Sequence, residues 1–221
     1  MSLNHTIRLI NDDYKSALAD LILNHYEADV ILTKLNKIYF DEKEITESNM
    51  KELGCLFSSI LNNQGSIYTF VQSDMLGEVL VGFKAAGLRI RNVLTIPILL
   101  PNECQCSVCN RKSYDENKIL YAVYATKSCL LNRVLNYTDI IDSKGGCKYP
   151  ACWSWFKGTE IQAYETILKI SSDHRDEVFD PFMFAGDVGV AAINADRHFT
   201  GCESDGARYR EVKDRLDHVG E

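Results

Sequence analysis

The most constraining stretch of this sequence lies near its C-terminal end. There Glu177-Val-Phe-Asp-Pro-Phe-Met-Phe-Ala-Gly-Asp-Val-Gly-Val-Ala-Ala192 is followed by His198-Phe-Thr-Gly-Cys-Glu-Ser-Asp205. A short apolar run ends at Asp180-Pro181, a turn reaches Gly186, a small-residue segment reads as helix, and a second apolar run ends on Glu203. Strand, turn, helix, strand, acid is the half-unit with which nucleotide-like ligands are commonly held. The turn lets backbone approach the ligand, and the carboxylate at the second strand's end accepts hydrogen bonds from ribose hydroxyls. Taken by itself, the stretch is one strand-turn-helix of a doubly wound sheet.

Its wording is more specific. Asp-Pro-Phe, a glycine four residues after the Phe, Gly-Val-Ala-Ala, and then an aromatic-x-Gly-x-Glu-x-Asp strand resemble the cofactor motif of amino-methylating DNA methyltransferases, written Asp-Pro-Phe-x-Gly-Ser-Gly-Thr. The resemblance implies S-adenosylmethionine as cofactor: Asp180 and Phe182 flank its methionine and adenine parts, Gly186 admits it, and Glu203 takes the ribose. This chain departs from the motif in carrying Phe184 for the first glycine, and Ala185 and Asp187 for the Ser and Thr. A ring is thus expected where backbone would approach the ligand.

The remaining segments fall into an α/β order. Residues 6–10 read as a strand and Tyr14 to Leu23 as an amphipathic helix, with apolar Ala17, Leu18, Leu21 and Ile22 on one stripe. Ala28 to Thr33 has the mostly apolar composition of a buried parallel strand. Glu47 to Leu61 is helical, with Asn62-Asn-Gln-Gly65 closing it. A strand over Ser66 to Val71, a helix capped by Ser73 or Asp74, and strands at Leu88 to Ile98 and Lys118 to Thr126 follow. Ile161 to Ser171 reads as the helix leading into the opening motif, and Asp205 to Asp217 as a terminal one. Together they predict one domain over residues 1–221, with irregular cysteine-containing insertions about 101–117 and 140–160. The resemblance implies a Rossmann-like S-adenosylmethionine-dependent methyltransferase fold: a mixed, mostly parallel sheet with helices on both faces. It also implies the permuted class of these enzymes, with the catalytic motif first and the cofactor motif last.

In that family the strand equivalent to Ala28–Thr33 ends in Asp-Pro-Pro-Tyr. The amine of adenine or cytosine is a weak nucleophile because its lone pair is delocalised, so the base is flipped out and stacked on the Tyr, and its amine hydrogens are accepted by the Asp and a Pro carbonyl. No Asp-Pro-Pro-Tyr occurs in this chain; the nearest remnant is Asn36-Lys-Ile-Tyr39, without the prolines and two residues late. The resemblance therefore implies Asn36 and Tyr39 as the base-holding pair of a DNA methyltransferase acting on an adenine or cytosine amine. The alternative is a catalytically inactive methyltransferase-fold protein that serves as a binding or partner subunit.

Composition limits the partners. The chain has 31 acidic against 24 basic residues and a net charge of −7, the wrong sign for gripping duplex DNA over a broad face. DNA is the partner the resemblance implies, and a homodimer or partner subunit would supply the target recognition for which 221 residues leave little room. The longest apolar run, Val93 to Leu100, is too short to span a bilayer and no signal-peptide pattern opens the chain, so a soluble, cytoplasmic protein is expected. Among eight cysteines, Cys104, Cys106 and Cys109 crowd one loop and Cys147 and Cys152 another. They could share a zinc ion, remain free thiols or form disulfides; because Cys-x-Cys-x-x-Cys is not the clean paired Cys-x-x-Cys of a zinc ribbon, they are assigned no metal site. Trp153-Ser-Trp155-Phe156 is read as core, with an exposed stacking platform as the other reading.

Overall fold

A computed structural model describes residues 5–40, 44–97, 119–127 and 159–219. The two cysteine loops and Trp153 to Phe156 lie outside them. In chain order the described elements are β1 (Ile7–Ile10), α1 (Tyr14–Leu23), β2 (Ala28–Lys34), a 3-10 turn (Lys37–Tyr39), α2 (Glu47–Ile60), β3 (Leu61–Val71), α3 (Leu76–Ala85), β4 (Arg89–Pro97) and β5 (Ile119–Thr126). Then come α4 (Glu160–Ser171), β6 (Glu177–Asp180), α5 (Asp187–Asn194), β7 (His198–Cys202) and α6 (Gly206–Asp217).

Local chemistry sets several of these ends. The Asp13 side chain accepts from the amides of Lys15 and Ser16 and so starts α1, while Thr46 with Asn49, and Thr159 with Gln162, form reciprocal capping boxes at α2 and α4. Two sequence expectations are corrected. Gly65 does not close α2: the helix ends at Ile60, Leu61 passes directly into β3, and Gly65 lies within that strand where the β2–β3 register shifts. A Cβ there would stand 2.9 Å from the Asp29 carbonyl oxygen, so the glycine serves a close strand approach. Neither Ser73 nor Asp74 caps α3 through its side chain; Ser73–Met75 form a 3-10 turn ahead of the helix, and Asp74 pairs with Lys37 at 2.6 Å.

The seven strands make one sheet in the order β1-β7-β6-β2-β3-β5-β4. Neighbours from β1 through β3 run parallel, and β5 runs antiparallel to both β3 and β4. Alternate side chains feed two cores, as strand pleating requires. Ile31, Ile67 and Phe179 point with Leu18, Met50, Leu53, Phe57 and Phe83 into the layer of α1, α2 and α3. Val30, Leu32, Phe70 and Val178 face Tyr164, Ile167, Val188, Ala191 and Val212 of α4, α5 and α6.

That order has a consequence for function. From β6 the chain crosses through α5 to β7 on one side, whereas from β2 it crosses through α2 to β3 on the other. The connections leave β6 and β2 in opposite directions, opening a crevice beyond their C-terminal ends, the usual ligand position in such sheets. Asp180 ends β6 and Lys34 ends β2. Among the described residues, no helix is long and apolar enough to cross a membrane.

Candidate active site

Asp180 lies at the centre of the crevice. It is 1% exposed, and its Oδ1 accepts from the Thr33 hydroxyl of β2 at 2.6 Å and from the Phe182 amide at 3.0 Å. Burial, opposed by these two bonds and reinforced by nearby Glu203, pushes its carboxyl up to about 7. A raised carboxyl favours the neutral form in the folded state. The stability it contributes is complete at acid pH and is lost as pH rises from the ordinary carboxylate range through about 7. Asp180→Asn keeps an acceptor for both donors without the charge. The variant should gain on the wild type as pH rises from 5 to 8, by no more than about 3 kcal/mol, in urea unfolding; parallel pH profiles would show that Asp180 does not titrate there.

Glu203 follows β7 and is 1% exposed. Its Oε2 accepts from the Tyr39 hydroxyl at 2.6 Å and the Phe184 amide at 3.1 Å. Its Oε1 accepts from the Asp205 amide at 2.9 Å and from Arg208 Nη2 and Nε at 3.2 and 3.3 Å. The Arg208 guanidinium also sits over the rings of Tyr39 and Phe184, 5.8 and 5.6 Å from their centroids. Burial and the bond to Glu203 hold the Tyr39 phenol far above its usual range, so it remains a donor.

The turn between Asp180 and α5 is held by its own backbone. The Met183 amide donates to the Cys202 carbonyl at 2.9 Å, and the Gly186 amide donates to the Met183 carbonyl at 2.7 Å. Gly186 has φ 81° and directly precedes α5. A Cβ there would meet Val212 Cγ1 at 2.9 Å, so both conformation and space favour glycine. Phe184 has φ 47°, keeping the left-handed backbone that suits glycine while carrying a side chain. Its ring lies at the rim, 46% exposed.

Two cavities flank this loop. One, of about 140 Å³, is lined by Asp180, Lys34, Asn36, Glu160, Tyr164 and Phe184 among others. The other, of about 260 Å³, is lined by Asp12, Asp13, Tyr14, Tyr39 and Ser204 with neighbours. Tyr39 and Phe182 form part of the wall, their rings 4.9 Å apart.

The structure thus brings five of the six sequence-derived candidates into direct or one-residue contact: Tyr39 bonds Glu203 and packs on Phe182, whose amide bonds Asp180, with Gly186 closing the turn. Asn36 lines the Asp180 cavity, but its side-chain oxygen accepts from the Ile38 amide at 3.1 Å. Tyr39 reaches Glu203, the residue expected at the ribose, rather than standing free as a stacking surface. Sequence reasoning missed Thr33, Lys34 and Arg208. Arg208, in the first turn after Asp205, could have been found as a cation following a strand-end acid; Thr33 emerges only once β2 is paired with β6. Lys34 is the residue at which β2 ends, and it pairs with Glu160 at 2.8 Å.

No family model and no curated protein matches this sequence. Solved structures do match in shape. M1.HpyAVI in complex with SAM is 18% identical with a TM-score of 0.71, over 96% of this chain and 100% of that one. The chain has the Rossmann-like methyltransferase fold. TTHA0409, a candidate DNA modification methylase from Thermus thermophilus complexed with S-adenosyl-L-methionine, is 15% identical with a TM-score of 0.69, over 97% and 95% of the two chains. The cytosine-N4-specific PvuII DNA methyltransferase is 13% identical with a TM-score of 0.65, over 96% and 86%.

Proposed function

We propose that this chain is an S-adenosylmethionine-dependent methyltransferase of the DNA-modifying type, in the permuted arrangement, directed at the exocyclic amine of adenine or cytosine. The observation that carries this reading is a buried acid at each of two adjacent strand ends, Asp180 and Glu203, around a left-handed turn that opens α5. The donor set suits the cofactor. Among the described residues, the hydrogen bonds to Asp180 fall on Oδ1 and none on Oδ2, which leaves that oxygen for the methionine ammonium beside the 140 Å³ cavity. Phe182 backs the nucleoside, Gly186 presents no side chain where α5 begins, and Glu203 is the acid for ribose hydroxyls once one of the donors now on it is displaced. The cofactor supplies a methyl group on a sulfonium, ready for displacement by an amine. Asn36, beside the same cavity, is the amide acceptor for an amine proton, and Tyr39 the aromatic surface for a flipped base.

The assay is transfer of labelled methyl from S-adenosylmethionine to unmethylated duplex and single-stranded DNA, followed by digestion to nucleosides. Label in N6-methyladenine or N4-methylcytosine is expected. Cofactor binding without label favours a second reading, a non-catalytic partner subunit. That reading has its own support: β2 ends on a cation rather than an acceptor, and Lys34, Lys37 and Arg208 around the site each carry a carboxylate partner, Glu160, Asp74 and Glu203. Cations so neutralised offer little to a phosphate backbone.

A further inference from the structure

Glu203 has no acceptor capacity left. A carboxylate offers about four lone-pair positions, and here the Tyr39 hydroxyl, the Phe184 and Asp205 amides and the Arg208 guanidinium occupy both oxygens. Its side chain is 0% exposed. A nucleoside diol cannot reach the acid that would bind it unless one of these donors leaves.

The four donors are not equally free to leave. The Phe184 amide belongs to a turn fixed by the Met183–Cys202 and Gly186–Met183 bonds. Asp205 is the N-cap of α6, its side chain accepting from the Ala207 and Arg208 amides. Removing either amide dismantles a turn or a helix start. Tyr39 stands at the end of a single 3-10 turn whose neighbour Ile38 is 43% exposed, and its ring, half-buried, borders the 260 Å³ cavity that Ser204 also lines. Arg208 is a side chain with 32% exposure. The removable donors are therefore Tyr39 first and Arg208 second, and the cavity that Tyr39 borders is lined as well by Ser204, the residue after Glu203.

We propose that Tyr39 is a built-in competitor for the nucleoside site: its hydroxyl, backed by Arg208, keeps Glu203 occupied, and a ligand bearing a vicinal ribose diol binds only by displacing it. This rests on the cofactor reading above and adds its regulation. The displaced Tyr39 is then the ring left free at the crevice, which couples cofactor entry to exposure of the aromatic surface assigned to a flipped base.

Tyr39→Phe tests this because it keeps the ring packed on Phe182 and removes only the hydroxyl. The full chain and the variant are titrated with S-adenosylmethionine and with S-adenosylhomocysteine by calorimetry. A hydrogen bond to a charged acceptor is strong enough that its removal should tighten both ligands about ten-fold or more. Arg208→Gln, an independent variant with a side chain already partly in solvent, should shift affinity in the same direction. Wild type and Tyr39→Phe binding equally well would overturn the competition and leave the cofactor reading standing. Binding by Tyr39→Phe alone would support both. No binding to either protein would overturn the cofactor reading and the competition with it, an outcome told apart from a failed latch by the wild-type titration.

Discussion

Replacing Glu203 with alanine will destabilise the fold by about 3–5 kcal/mol with no ligand present, because four donor groups lose a shared buried acceptor. Two of them are backbone amides in the turn before α5 and at the start of α6, so the loss falls on the segment that shapes the crevice. Water entering the vacated space will satisfy part of the donors, which keeps the effect below the sum of four separate losses. Glu203→Gln should lose less, since the amide keeps one oxygen acceptor while its NH2 group confronts donors on the other side. The check is the urea midpoint of the three proteins. An alanine variant within about 0.5 kcal/mol of wild type would show that these bonds do not hold the loop.

Phe182→Ala should be comparably severe, at about 3–5 kcal/mol. The ring is 2% exposed and stands where three other aromatics meet: Tyr39 at 4.9 Å, Tyr14 at 5.0 Å and Phe40 at 5.6 Å between centroids. These come from the 3-10 turn, α1 and the residue after the turn, so one side chain ties the end of β6 to both neighbouring segments. Removing it leaves a void that none of the three can fill without leaving its own contacts. Phe182→Leu should lose appreciably less. Equal loss in both would mean that ring contacts, rather than volume, hold this junction.

The local elements were legible where one chemistry decides them. Tyr14–Leu23 reads directly because an apolar stripe follows a residue, Asp13, whose carboxylate caps it. The β6-turn-α5-β7 unit reads because small residues, a glycine with φ 81° and a strand-end acid coincide. Gly65 misled because a glycine after a helix signals a stop, and only the approach of the Asp29 carbonyl from β2 shows that it serves the sheet. Of the candidate site, Asp180, Phe182, Gly186 and Glu203 could be named from the sequence as expectations, but the contacts they make in the fold could not. Tyr39 and Glu203 are 164 residues apart and come within reach because β2, which precedes Tyr39, and β7, which precedes Glu203, flank β6 in the strand order. Once that order exists, the carboxylate a ligand would need has already been supplied with donors by the chain itself.

Titration of the full chain with S-adenosylmethionine, in parallel with Glu203→Gln shown to be folded by circular dichroism, is the most direct test of the site. Saturable one-to-one binding to the wild type, greatly weakened in the variant, is predicted. No heat and no rise in melting temperature at millimolar cofactor, in the wild type and in Tyr39→Phe alike, would contradict a nucleoside-cofactor site at Asp180 and Glu203.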